Sequence, residues 1–505
     1  MNHWLIAPIA LPLLGGILQT FMGYAPISLR RTLAIATTAL ILASSLVLLS
    51  LANDGSYRIY AFGNWQPPFG IVLVLDRLAA LMLVLTSTLA MFAHIFSIGG
   101  SDEGNRQFHT LFLFQLMGLN IAFLTGDLFN LFVAFEVLLI ASYGLLMHGG
   151  GTIRTVPGLH YVVLNLAGSA IFLIAVGMIY SVTGTLNMAD LAVKIPQVTG
   201  EGLDLVKAGA MMLLVVFGLK AAILPLCFWL PQAYAKATAP VAALFAVMTK
   251  VGIYAIIRVY ILIFGENAGE LAHLGMDWLF PLALITLAMG VIGALGADNL
   301  KTLISWQVVI SVGTLLAPIA LGSEPGLSAA LFYLLSTTWT VAGLFLVAEL
   351  IAVQRGSARD RIITAPKMQH RTFLSVLFML GAVAAAGLPP LSGFFGKVLI
   401  LKSVEPGPQM AWLWSVLLIG SFLSVVAYSR AGSIVFWRTV DGHLEKPEPM
   451  KGVVSVSAGA LIALTIVIVF LAGPINAYTE ATAAQLFDTA AYTEILQTPM
   501  AAEND

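Results

Sequence analysis

FGLKAAILPLCFWLPQAY, residues 217–234, continues into AKATAPVAALFAVMTKVGIYAIIRVY and decides how the rest of the chain is read. Lys220 lies inside an apolar run long enough to cross a bilayer, and Pro225 follows five residues later. A proline in a helix interior removes one backbone hydrogen bond and crowds the preceding turn. In lipid, backbone opened in this way is tolerated only where protein or water covers it. An ammonium near the membrane centre costs at least about 2.5 kcal/mol. A charge and a helix break at one depth point to an ion path, with the remaining chain as its scaffold.

Composition sets the class. Of 505 residues, 59% are hydrophobic and 10% charged, against roughly 25% charged in a soluble protein. Too few charges remain to solvate a surface, so the chain reads as an all-α polytopic membrane protein. The apolar runs are unbroken over about twenty residues, not alternating as in a membrane barrel. A net charge of −1 gives no sign of a nucleic-acid partner, and the single cysteine, Cys227, excludes an internal disulfide. Residues 1–22 lack a Lys/Arg-rich start and carry an apolar run of full spanning length, so they read as a first transmembrane helix and not a leader.

Gly, Pro and charge clusters divide the chain into expected spans at 2–22, 31–51, 72–96, 107–125, 128–148, 158–182, 206–230, 240–264, 276–296, 302–321, 326–351, 372–404, 411–437 and 452–473. That is about fourteen, with a short surface helix expected over 480–498. A second interruption, GLPPLSGFFGK at 387–397, places Pro389 and Pro390 in the twelfth span with Lys397 just beyond, five helices after the first break in the seventh. Interrupted helices in corresponding places suggest inverted repeats. The expected organisation is three helices in 1–106, a five-helix repeat in 107–264, its inverted partner in 276–437, and a last helix and tail in 452–505.

Fourteen basic residues, from Arg30 to Lys451 and including Lys446, fall in alternate loops on one side, against Arg58, Lys194, Lys207 and Lys402 on the other. This bias places both termini outside the cell membrane and the 352–371 loop in the cytoplasm. Arg77, Lys220, Lys250, Arg258, Lys397 and Arg430 remain within spans.

Glu136, in GDLFNLFVAFEVLLIASYGLL, lies nine residues past Asp127, about 13 Å into a helix and close to mid-membrane. Lys220 is its expected partner. Lys250 falls mid-span with no acidic neighbour in sequence, which suits a proton relay better than a snorkelling side chain. Lys397 has a similar standing nearer a surface. The other charges have blander readings: Arg258 reaching the outer interface, Asp76 with Arg77 as an interfacial pair, Glu349 with Arg355 at a cytoplasmic helix end, Asp127 as an N-cap, His94 and His160 as polar partners at helix ends, and Arg430 as interfacial. No phosphate loop, paired-cysteine motif, haem spacing or nucleophile constellation is present, so no enzyme, cofactor or metal site is expected.

These residues carry a resemblance. The lysine-bearing broken helices, the helix-five glutamate and DNLKTLISWQVVISVGTLLAP resemble the antiporter-like subunits of respiratory complex I and its relatives. LNLAGSAIFLIAVGMIYSVTGTLNMADLA, GLKAAILPLCFWLPQAYAKATAPVAALFA and GLPPLSGFFGKVLIL are most similar to the D subunits of the Mrp-type (Mnh/Pha) multisubunit Na⁺/H⁺ antiporters, over roughly residues 70–440. The resemblance implies a charged axis in which Glu136 pairs with Lys220, Lys250 is the central relay and Lys397 lies by the second half-channel, with Arg258, Glu349 and Lys301 in support. It also implies other antiporter subunits as partners. Ser336 stands where the family often has histidine, so the link from Lys250 to Lys397 requires another group or water. The function expected is a membrane subunit of a monovalent cation/proton antiporter. The alternative is a proton-pumping subunit of a complex I-type oxidoreductase or membrane hydrogenase, and Lys397 argues against it.

Overall fold

The computed structural model describes residues 3–440 and 450–497. Lys446 and the last residues of the expected tail lie outside these limits. In chain order the helices are α1 (Ala7–Phe21), α2 (Ile27–Ala52), α3 (Arg77–Ser97), α4 (Phe108–Leu124), α5 (Leu128–Leu146), α6 (Thr152–Thr183), the short α7 (Met188–Lys194), α8 (Glu201–Ala221), α9 (Trp229–Lys236) and α10 (Ala239–Tyr260). They continue as α11 (Met276–Leu295), α12 (Leu300–Ile319), α13 (Glu324–Gln354), α14 (Arg371–Ala386), α15 (Ser392–Lys402), α16 (Pro408–Gly432), α17 (Gly452–Phe470), α18 (Ala472–Phe487) and α19 (Thr489–Thr493). A small antiparallel ribbon, β1 (Arg58–Ala61) with β2 (Val72–Leu75), pairs Arg58 with Leu75 ahead of α3. Among the described residues, twelve helices are long and apolar enough to cross a membrane.

Local chemistry sets where these helices start. Asp76, Asp127, Asn299 and Ser323 each precede a helix and accept the backbone N–H three residues on, satisfying a donor the first turn leaves free. Every one of the 22 residues of α10 is buried, so a charge on this helix has no route to lipid. α12 and α13 are almost as enclosed, whereas α1, α2, α6 and α16 present much of their apolar surface outward.

Two helices stop short inside apolar segments, and their freed carbonyls find partners in protein. At the end of α8, Ala222 adopts the left-handed conformation; Ile223 N donates to Gly218 O, and Trp229 Nε1 to Leu219 O. Gly252 of α10 lies so close that a Cβ there would come 2.5 Å from Ala221 N. At the end of α14, Gly387 is left-handed, and the N–H groups of Gly387 and Leu388 both reach Val383 O. Gln307 donates to Ala385 O and Lys397 to Ala386 O, so this opening is also covered by protein.

One end of the bundle opens into a cavity of about 850 Å³ whose lining includes five basic residues, Arg154, Lys236, Lys301, Arg359 and Lys451, and two acidic ones, Glu349 and Asp360. At the other end the C-terminal segment, expected as a surface helix, packs one face down. Gln485 of α18 accepts from Arg77 N and donates to Gly55 O, Arg77 donates to Ala481 O, and Tyr492 is buried. This arrangement corrects the reading of Asp76 with Arg77 as a pair. Asp76 instead binds Arg258 through two bonds of 2.5 and 2.6 Å, joining α3 to α10, and Arg258 is buried, not extended to an interface. Glu349 likewise pairs with Lys301 at 2.6 Å, while Arg355 turns to the carbonyls of Arg359 and Arg361.

Removing one member of a buried ion pair strands the other and costs about 3–5 kcal/mol, whereas replacing both by apolar residues is often neutral. Asp76→Asn is therefore expected to lower the unfolding midpoint of the purified complex strongly. Asp76→Leu combined with Arg258→Met should recover most of the loss in the same thermal-shift assay.

Candidate functional site

The charges singled out in the sequence sit on four different helices. Glu136 is the ninth of 19 residues in α5, and Lys250 the twelfth of 22 in α10. Lys220 occupies the last turn of α8, and Lys397 the middle of α15. All three lysines are buried; Glu136 is half-buried.

The expected contact between Glu136 and Lys220 is not among the ion pairs of the described residues. Two side chains of α6 intervene. Ser169 Oγ donates to Glu136 Oε1, and Asn165 Oδ1 accepts from Lys220 Nζ at 3.0 Å. Ser169 and Asn165 are one turn apart, and the Asn165 backbone O, 3.0 Å from Ser169 Oγ, is an alternative acceptor for its single proton, so Glu136 and Lys220 meet the same face of α6. The ring of Phe135 lies 5.8 Å from Lys220 Nζ, supplying a further weak attraction.

Lys250 Nζ donates to Ser311 Oγ on α12 at 2.7 Å and to Thr249 Oγ1 at 3.3 Å. One turn back along α12, Gln307 meets Ala385 O at the end of α14. The next carbonyl, Ala386 O, accepts from Lys397 Nζ at 2.8 Å, as does Ser421 Oγ of α16. Ser336 binds Ser392 Oγ, the first residue of α15, at 2.8 Å. Ser336 therefore reaches the second interruption directly, although it has no ionisable group.

Hydroxyl oxygens accept from an ammonium and can donate to a neutral amine. The sites around Lys250 and Lys397 can therefore face the lysine in either protonation state. The supporting residues Arg258, Glu349 and Lys301 lie in ion pairs at helix ends instead. Asn165, Ser169, Ser311, Gln307, Ser392 and Ser421 were not singled out in the sequence. The available signal was helical spacing: 165 and 169, and 307 and 311, each put polar groups one turn apart in otherwise apolar spans. Asp127 is the N-cap expected of it, and His160 is exposed. Arg430 donates to Ala297 O at 2.7 Å. His94, in the last turn of α3, is a polar partner as expected, bonding both His109 and Thr38.

The chain as a whole is similar to several known proteins. A family model described as NADH:quinone oxidoreductase/Mrp antiporter, TM matches residues 125–426. The chain is 40% identical over 539 residues to the D component of a probable K(+)/H(+) antiporter of Rhizobium meliloti (strain 1021), covering 99% of both chains. It is 35% identical to the D component of a Na(+)/H(+) antiporter of Alkalihalophilus pseudofirmus, covering 98% of this chain and 99% of that one. Among solved structures, it superposes on a chain of the Mrp complex from Dietzia sp. DQ12-45-1b with a TM-score of 0.87, 27% identity and 99% and 100% of the two chains covered. A chain of an archaeal membrane-bound sulfane sulfur reductase gives a TM-score of 0.88 at 24% identity, with 97% and 100% of the two chains covered, a likeness of fold.

Replacing Asn165 by Leu leaves the Lys220 ammonium without its amide acceptor, an unsatisfied buried group worth about 1–3 kcal/mol. A lower unfolding midpoint for Asn165→Leu than for Asn165→Asp, in the intact complex, is the expected result.

Proposed function

The chain belongs to the NADH:quinone oxidoreductase/Mrp antiporter membrane family, among the D subunits of Mrp-type antiporters, and from that membership we propose that it is a membrane subunit of a multisubunit cation/proton antiporter. It is a transporter subunit, not an enzyme, and works within a hetero-oligomeric complex in a prokaryotic cell membrane. Protons are held in turn by Glu136, Lys220, Lys250 and Lys397 and move between them through water, with Ser169, Asn165, Ser311 and Gln307 as the polar side chains lining the way. The observation that carries this reading is that three buried lysines on three helices face neutral oxygens, whereas Arg258 and Lys301, nearer helix ends, are each held by a carboxylate. A group held by a carboxylate is fixed; one facing amide and hydroxyl oxygens can exchange its proton without stranding a charge.

The finer organisation belongs to the same proposal. Adding the shorter apolar helices α4 and α14 to the twelve long ones brings the spans to about fourteen. Residues 107–264 and 276–437 act as two inverted repeats, each interrupted near a functional lysine, at Pro225 and at Pro389–Pro390. The basic cavity at one end of the bundle supports a cytoplasmic orientation for that end, with both termini outside. Each charge crossing the membrane is worth about 2.3 kcal/mol per 100 mV, so inward proton flow can drive a monovalent cation, sodium or a similar ion, outward.

Lys220→Ala and Lys250→Met, each in a complete complex in everted vesicles, are expected to lower cation-dependent proton transport by about tenfold or more, a loss of at least about 1.4 kcal/mol in the limiting step. Undiminished transport with normal assembly would refute the path.

A further inference from the structure

Away from the lysine chain, four buried groups form an unbroken hydrogen-bonded line. Thr38 Oγ1 meets His94 Nδ1 at 2.9 Å, His94 Nε2 meets His109 Nδ1 at 2.9 Å, and His109 Nε2 meets Asp102 Oδ2 at 3.2 Å. Arg31 closes the line with two bonds of 2.6 Å to Asp102. His94, His109, Asp102 and Thr38 are all buried, and the ring of Phe112 lies 4.2 Å from that of His94. None of these groups takes part in the path from Glu136 to Lys397.

We propose that Thr38, His94, His109 and Asp102 form a second proton site, whose occupancy sets how firmly the loop 98–107 holds its wall of the basic cavity. The accounting of hydrogens allows two complete states. Without the extra proton, Thr38 donates to His94 Nδ1, His94 Nε2–H donates to His109 Nδ1, and His109 Nε2–H donates to Asp102. With it, His109 is an imidazolium that donates to both Asp102 and His94 Nε2. His94 Nδ1–H then donates to the Thr38 oxygen, and the Thr38 hydroxyl turns to Ala34 O, 2.9 Å away. One proton is gained, one hydroxyl rotates, and no polar atom of the line loses its partner in either state.

The site is wired to the cavity. Gly99, Gly100 and Ser101 line it, and Asp102 follows directly. Asp102 is buried, which pushes its carboxyl up, but the hydrogen bonds and charges of Arg31 and His109 outweigh burial and hold it well below the usual carboxylate range. It therefore remains an anion for the imidazolium to bind. The other charged or titratable groups around the loop are Glu103 on Arg31, Arg30 on Arg106 O, His148 on Ser101 O and Lys451 on Gly99 O. The bond from His109 to the anionic Asp102 is charge-assisted in both states; the imidazolium adds a full positive charge opposite the carboxylate, so the occupied state ties the loop down more tightly. In the orientation proposed above, the proton comes from the cytoplasm, past the exposed Glu103. The site thus senses internal acidity.

Hydrogen–deuterium exchange of the assembled complex tests this, corrected for intrinsic rates with an unstructured peptide. Exchange over 98–107 is expected to slow by about fivefold between pH 8 and pH 6 in the parent. His109→Gln can still donate to Asp102 but cannot take the proton, and Asp102→Asn removes the anion; both should abolish the pH response. Lys250→Met should retain it, because the site does not depend on transport. A parent without a pH response, a response preserved in both His109→Gln and Asp102→Asn, or one lost in Lys250→Met would overturn the proposal.

Discussion

Placing an ammonium inside a bilayer is the constraint around which this structure is arranged, because such a group must find oxygen partners or neutralise. The molecule meets it in two ways. Towards the helix ends, Asp76 with Arg258 and Glu349 with Lys301 form close ion pairs that tie α3 to α10 and α12 to α13. Deeper in the bundle, Lys220, Lys250 and Lys397 face an amide, hydroxyls and a carbonyl. The first solution fixes helices in place. The second surrounds each ammonium with neutral oxygens.

Much of this was legible in the chain because apolar runs of spanning length need no partner to declare themselves. Cores such as α10 and α13 are buried on every side, so their sequences carry no amphipathic stripe, yet their length and the Lys250 within α10 were sufficient. The site lysines and Glu136 stood out for the same reason: a charge inside an apolar run is visible without a structure. What could not be read was pairing. Arg258 and Asp76 are 182 positions apart, and Arg77 beside Asp76 offered a nearer but wrong partner. The link between Glu136 and Lys220 runs through uncharged Asn165 and Ser169, which local composition leaves inconspicuous. His94 and His109 come from neighbouring helices, and each alone looks like an ordinary polar residue. The tail is the short, mostly unburied helix expected there, and one face of it packs down, with Gln485 and Tyr478 bonding the backbone of Arg77.

The coincidence of charge and helix break has a mechanical origin. Ending α14 at Ala386 frees carbonyls that lipid cannot satisfy. Lys397, running back across Gly387, takes one of them, and Gln307 takes its neighbour. The left-handed turn at Gly387 leaves no room for a Cβ beside the lysine stem. The break thus supplies the oxygen that the ammonium needs, and the ammonium supplies a donor that the broken backbone needs. If Lys397 moves away, the carbonyl must find water or another donor; on losing its proton alone, the amine keeps two N–H bonds and can still hold Ala386 O. At α8 the arrangement differs: Leu219 O is held by Trp229, and Lys220 turns to Asn165 instead. There the break is closed by protein and the lysine is tied to the chain leading to Glu136. The two interruptions are therefore not equivalent. One joins its ammonium to the backbone opening itself, and the other turns its ammonium to Asn165 on α6.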